Sequence, residues 1–517
     1  MAIRLASWII AIAIVAILVP SAPAADSALN VADRTCLFLD DYYIDTQDGL
    51  ERTFHQGKPH PKAMVSETEP WEHWICLYGS CFYDPVGKVY RMYYQTTLLP
   101  SGEPGISLRQ DICYAESKDA VNWVKPKLGL HDFKGSKDNN ILLYLAGPMN
   151  AFLDPSATTP AGRIKCNTYF LKADPKHNNA RGITVLQSAD GLNWEYVNFM
   201  DGPKFANPAE GGFIDTMVLG WDPIRNSYIA QSRLFSTHLV GDIGGTRRRA
   251  LGVSWSDKPD RGWSPVVMTL KADDRDDQHA ARHSKDPDKP DWAELYTAPP
   301  LVYGNHYLYF ITMFELGDGK DFNGGGGLQL AFSHDSLKWS RPEPRQNAIE
   351  NSDDPELFPN FSQTNPLLDM GDEMWLFYSE NNGTHGVSYE KSRGRIRAAV
   401  WRKDGFASLN AAGSATLTTK PLAYDGKELL LNFKTQKGGL VRVGILDADG
   451  NPIGQFSLGE CQVMQGDETA HKVAWAGGTD FSRRVGNKPV RLMFELENAQ
   501  LYGFRFTGAP AAPATVN

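Results

Sequence analysis

Four acidic residues recur in this chain at intervals of roughly 60–80 residues, the scale of a repeated structural unit. They are Glu72 in Pro70-Trp71-Glu72-His73-Trp74, Asp154 in Phe152-Leu153-Asp154-Pro155, Asp215 in Gly212-Phe213-Ile214-Asp215-Thr216, and Glu294 in Trp292-Ala293-Glu294-Leu295-Tyr296. Asp215 and Glu294 sit inside apolar or aromatic runs, where an acid costs free energy unless it has a partner or a task. Asp154 precedes a proline, and Asp-Pro recurs at Asp84, Asp174 and Asp222, so turn chemistry competes for it. Carboxyls gathered at one mouth push their pKa values apart, which keeps one protonated as a general acid while another is ionised as base or nucleophile. A glycosidic bond is broken by such a pair. Asp215 and Glu294 are therefore the expected acid and base, with Asp154 and Glu72 as supporting carboxylates, and Trp71 and Trp74 flank Glu72 as possible stacking surfaces.

Other polar residues fall where loops would converge on the same mouth. Asp111 precedes a third strand in the first repeat, Arg181 in the second and Arg249 in the third, while Arg233 ends a second strand. Cations there would hold an acidic or sulfated glycan, or the carboxylates themselves. Glu315, Glu380 and Asn381 follow second strands and stand in reserve. His55, His60 and His73 have no metal-ligand spacing, and Gly324 to Gly327 lacks the strand-to-helix context of a phosphate loop, so neither a metal nor a cofactor is expected.

The elements that must position these residues show themselves as a repeat. Ser117-Lys118-Asp119-Ala120-Val121-Asn122-Trp123 returns as Ser188-Ala189-Asp190-Gly191-Leu192-Asn193-Trp194 and as Ser333-His334-Asp335-Ser336-Leu337-Lys338-Trp339, with a looser copy from Ser254 to Trp263 and a last echo at Asp404-Gly405-Phe406. The units are about 70 residues long, and each carries four short strand-like runs joined by tight turns. Four-stranded units repeated five times predict an all-β fold: a five-bladed β-propeller over residues 35–409, closed by the run Leu37 to Ile44 pairing with the last blade. Alternating segments after that, such as Val441 to Ile445 and Val490 to Leu496, predict a small β-sandwich over 411–508, with 509–517 as a loose tail.

Composition sets the surroundings. The 517 residues are 42% hydrophobic and 11% aromatic, enough for two cores. Lys+Arg number 52 against 61 Asp+Glu, for a net charge of −9, so the basic footprint that neutralises phosphates is missing and nucleic acid is not an expected partner. Arg4, the apolar run Leu5 to Val19 and Ala22-Pro23-Ala24 read as a secretory signal over residues 1–24, cleaved near Ala24. No membrane span is expected after that cleavage, and the protein is expected to be secreted or periplasmic. Cys36, Cys76, Cys81, Cys113, Cys166 and Cys461 show no zinc spacing and are expected to be mostly free and buried.

The run Leu37-Phe38-Leu39-Asp40-Asp41-Tyr42-Tyr43-Ile44, the stretch Gly135-Ser136-Lys137-Asp138-Asn139-Asn140, the Ser-x-Asp-Gly-x-x-Trp hairpins and Leu417-Thr418-Thr419-Lys420-Pro421-Leu422 resemble secreted five-bladed propeller proteins, common in planctomycete-type bacteria and related to glycoside hydrolase families 32, 43 and 117. The resemblance implies three acids at the mouth, from blades one, two and three. Asp154 and Asp215 match the second and third places. Glu72 stands out of register where the first-blade Asp belongs, and the third place holds Asp215 instead of Glu, which leaves Glu294 as an alternative acid. The implied activity is hydrolysis of an oligo- or polysaccharide; the alternative is a carbohydrate-binding propeller that does not cleave its ligand.

Overall fold

The computed structural model describes residues 28–98, 102, 108–174, 180–199, 216–236, 248–281, 292–316, 327–359, 367–382, 393–486 and 488–508. The expected signal segment and the 509–517 tail lie outside them. The chain folds as an all-β protein with five separate antiparallel sheets arranged as blades. Blade one is built on Cys76–Asp84, Val89–Leu98 and Arg109–Ser117, blade two on Ala146–Leu153, Ile164–Asp174, Ala180–Ser188 and Glu195–Phe199. Thr216–Asp222, Ser227–Ser236, Arg248–Ser256 and Val267–Leu270 form blade three. Blade four has an interrupted inner strand, Trp292–Thr297 then Leu301–Tyr303, against His306–Leu316 and Leu328–Ser333. Blade five pairs Glu373–Asn381 with Gly394–Arg402.

The repeated Ser-Asp-Trp segment is a turn that builds its own hydrogen bonds. Asp119 Oδ1 accepts the N–H groups of Val121 and Asn122, and the Trp123 indole donates to Ala120 O. Asp190 with Trp194 and Asp335 with Trp339 repeat the pattern. Position four of the motif is left-handed in all three copies, at φ 62 for Ala120, 75 for Gly191 and 63 for Ser336, so glycine suits it but was used only once. The indoles then pack between blades: Trp123 meets Phe377 of blade five edge-on, and Trp194 meets Tyr93 of blade one.

Blades are also tied by buried side chains. Near the channel, Ser379 Oγ accepts the Leu77 N–H at 2.6 Å, and Ser80 Oγ accepts that of Ala151 at 2.8 Å. Asn167 donates to Met217 O at 2.9 Å, and Gln231 accepts the Ala298 N–H at 3.4 Å. At the hairpin end of the inner strands, three aspartates reach the next blade. Arg163 grips both oxygens of Asp84 at 2.7 and 2.9 Å, Tyr228 donates to Asp154 at 2.7 Å, and Tyr307 donates to Asp222 at 2.8 Å. Burial opposes the charge on Asp84, but Arg163, the Gly87 N–H and Arg91 outweigh it and hold this carboxyl well below the usual range.

Ring closure differs from the expectation. Lys58–Pro59 and Val65–Ser66, not Leu37 to Ile44, pair with Gly394–Arg402 and supply the outer edge of blade five. Residues 29–54 belong instead to an eight-stranded sheet with the C-terminal strands, in which Ile44–Phe54 pairs with Ala407–Thr419 and Cys36-Leu37 with Gly503-Phe504. The reason lies in the two-residue period of an extended chain. Cys36 and Phe38 enter the core of the C-terminal unit, while Leu37 and Leu39 enter the core shared by blades four and five. One segment thus belongs to two cores and stitches the units together. All six cysteines are buried and unpaired.

His306 sits in that seam. Its Nε2 accepts the Leu37 N–H at 2.8 Å, which requires a neutral ring. His334 lies 4.9 Å away, itself bonded to Asp40 and stacked on Tyr42, and Tyr43 packs edge-on. Burial first, then His334, lower the His306 pKa well below its ordinary value, with Asp40 opposing. A histidine lowered on folding contributes stability above its unfolded value of about 6.5 and loses it as pH falls below that. Denaturant unfolding from about pH 7.5 down to about pH 5 should therefore show stability falling more steeply in the wild type than in His306→Gln, whose amide keeps an acceptor without titrating; parallel curves would clear His306 of the effect.

Candidate active site

The inner strands begin at one face of the ring, where a cavity of about 220 Å³ opens between blades one to four. Blade one contributes Tyr78 and Gln95, blade two Pro148 and Thr168, blade three Arg233 and blade four Tyr296. The Arg233 guanidinium lies 4.1 Å from the Tyr296 ring centroid, and the Tyr78 ring lies 6.3 Å from that of Tyr296. Trp74, Cys76, Tyr78, Tyr296 and Phe314 form one buried cluster. Burial is the first cause of a Tyr78 hydroxyl raised well above its ordinary value, so it is a neutral donor at any physiological pH.

Glu294 lies behind this wall, near Tyr296 in the chain, and does not itself line the cavity. It is two residues before Tyr296 in the same inner strand, and Arg249 contacts both. The carboxylate is 1% exposed and ion-paired to Arg249, with the Trp292 indole at 3.3 Å. Arg233 and Arg249 come from the second and third strands of blade three, placed by the register Arg233↔Leu251 and Phe235↔Arg249. Of the expected site residues, the structure brings Glu294, Arg233 and Arg249 together. Asp215 lies outside the described residues, directly before the blade-three inner strand in sequence, and so does the side chain of Arg181.

The remaining expected residues are placed elsewhere. Asp154 follows the inner strand of blade two, which runs from Ala146 to Leu153, so it stands at the hairpin end, opposite the mouth. There it accepts from Tyr228 of the next blade and from Ser156, at the position that Asp84 and Asp222 hold in blades one and three. Glu72 is fully buried and saturated: Tyr94 OH and Lys125 Nζ at 2.5 Å, and the N–H groups of Thr68 and Glu69 at 2.9 and 3.2 Å. It pins the loop before blade one. Trp71 donates to Asn140 and packs on Phe133, while Trp74 is 1% exposed, so neither offers a free stacking face. Asp111 accepts the Leu145 N–H at 2.9 Å and pairs with Arg109, fixing the approach to blade two; burial raises its pKa against the pull of Arg109.

In blade five, Glu380 is buried between Tyr378, Arg395 and Arg397, and the two arginines also hold Asp353. Tyr78, Gln95, Thr168 and Tyr296 were not singled out by sequence reasoning. Their only signal was a polar side chain at an inward position of an apolar strand, the same signal that marked Glu294. Among the described residues no three His, Cys, Asp or Glu side chains cluster as a metal site, and no helix is long and apolar enough to cross a membrane.

No family model and no curated protein matches the chain. Among solved structures, it is similar to a glycoside hydrolase at 14% identity, over 66% of this chain and 92% of that one, with a TM-score of 0.42. A glycoside hydrolase family 43 arabinoxylan arabinofuranohydrolase from Bacillus subtilis aligns at 10% identity over 84% and 96%, TM-score 0.35. The exo-inulinase of Aspergillus awamori aligns at 12% over 87% and 99%, TM-score 0.38.

The Arg249–Glu294 pair makes a stability test of the site's construction. Arg249→Met leaves Glu294 buried without its cation and should cost about 3–5 kcal/mol in denaturant unfolding, whereas Arg249→Met with Glu294→Met should recover most of the loss. Additive losses would mean that the two side chains act independently.

Proposed function

We propose that this protein is a glycoside hydrolase acting on an oligo- or polysaccharide at the blade mouth, outside the cytoplasm. The observation that carries the reading is the cavity itself: a concave aromatic and polar pocket whose wall residue Tyr296 shares a strand, and the contact with Arg249, with a buried carboxylate, Glu294. In this reading Glu294 is one of the two carboxyls and Asp215 the other, with Arg249 holding Glu294 in position and Arg233 packed on the Tyr296 ring. A second reading, binding of a carbohydrate without cleavage, is favoured by one observation: Arg249 and the Trp292 indole already engage Glu294 on both oxygens.

A glycan-panel assay for released reducing sugar separates the two. Asp215→Asn and Glu294→Gln, each first shown to keep the wild-type strand signature by circular dichroism, should lower turnover by roughly 10²- to 10⁴-fold. Undiminished turnover in both overturns the assignment of the acids, and saturable glycan binding with no product from the wild type establishes the binding reading.

A further inference from the structure

Gln95 and Thr168 lie on the second strands of blades one and two, each 1% exposed, and both line the cavity. The Gln95 amide donates through Nε2 to Thr97 at 3.3 Å. Its Oε1, and the Thr168 hydroxyl, find no hydrogen-bond partner among the described residues. Buried polar atoms usually have partners, so two unpartnered ones in one cavity wall are groups that a ligand's polar atoms could meet. Their neighbour Asn167 is already engaged by Met217 O and the Leu219 N–H, which fixes its position and leaves the task to the other two.

The chemistry of the pair selects the ligand. An amide carbonyl wants a donor, and a threonine hydroxyl gives or takes a hydrogen bond, so together they match ring hydroxyls, and an apolar group in their place would leave both unsatisfied. Tyr78 and Tyr296 add aromatic lining, though Arg233 and Phe314, each 4.1 Å from the Tyr296 ring centroid, already pack against that ring. At about 220 Å³ the cavity is smaller than the roughly 300–1,000 Å³ of pockets for drug-sized ligands, a size that suits one sugar unit. Gly147 completes the fit, because a Cβ at that position would collide with Gln95 Oε1.

Resting on the reading of this mouth as a sugar site, we propose that Gln95 and Thr168 form its deepest subsite and set specificity by bonding the hydroxyls of a single sugar ring. Calorimetric titration with free arabinose, xylose, galactose, glucose, mannose and fructose tests it. At least one should bind the wild type, and Gln95→Leu, Thr168→Val and Gly147→Ala should each weaken that sugar about tenfold or more. Monodeoxy analogues of the bound sugar should bind the wild type poorly, and one of them should bind Gln95→Leu as well as the parent sugar does. Thermal melts identify any variant that fails to fold, and the most conservative, Thr168→Val, then decides. If the wild type cleaves glycans while folded Thr168→Val and Gly147→Ala bind and turn over sugars like the wild type, the subsite is overturned and the function stands. If the wild type neither binds nor cleaves any sugar, both readings fall.

Discussion

The inner strands of a propeller face one another around a channel without pairing, so nothing in the backbone holds neighbouring blades together there. Side chains must do it. Ser379, Ser80, Asn167 and Gln231 each reach a backbone group of the next blade and supply the hydrogen bond that an adjacent strand would otherwise give. Each is modest in net terms, about 1 kcal/mol, yet leaving the buried backbone group unmet would cost more. The channel wall therefore has to be polar at intervals, and a wall that is polar, buried and concave is where a ligand site can form. Cohesion and chemistry draw on the same positions.

The second set of ties sits at the other end of the inner strands. Asp84, Asp154 and Asp222 occupy equivalent places, each opening a turn before proline and each bonding an arginine or tyrosine of the following blade. An aspartate that both caps a turn and latches a neighbour serves the ring twice. The C-terminal unit is joined by a different device, alternation: Leu37 and Leu39 face the blades while Cys36 and Phe38 face the other core. Since both faces of that segment are buried, a register slip of one residue would exchange its whole pattern between cores.

Much of the architecture was legible in the chain because repeats are local. The Ser-Asp-Trp hairpins, the Asp-Pro turns and the period-two runs are decided within ten residues, and they were enough for five blades and a second β unit. The site was legible in part. Glu294 was visible because a carboxylate inside Trp-Ala-Glu-Leu-Tyr violates the hydrophobic pattern, and Gln95 and Thr168 violate it more quietly. Asp154 was misplaced by the length of one strand, since the inner strand of blade two starts at Ala146 and the acid follows it. Glu72 has the right composition around it, yet Lys125, 53 residues on, occupies it.

The sequence by itself determined the strand-turn rhythm, the blade number and the class of residue available for chemistry, because backbone propensity and side-chain alternation act over short range. Only the tertiary structure decided which end of a strand faces the mouth, which acids are already paired with arginines or lysines, and which segment closes the ring. Those outcomes depend on contacts between residues hundreds of positions apart, such as Val65 with Ile396 and Leu37 with His306. No local pattern distinguishes the apolar run that closes a blade from the one that stitches two cores together.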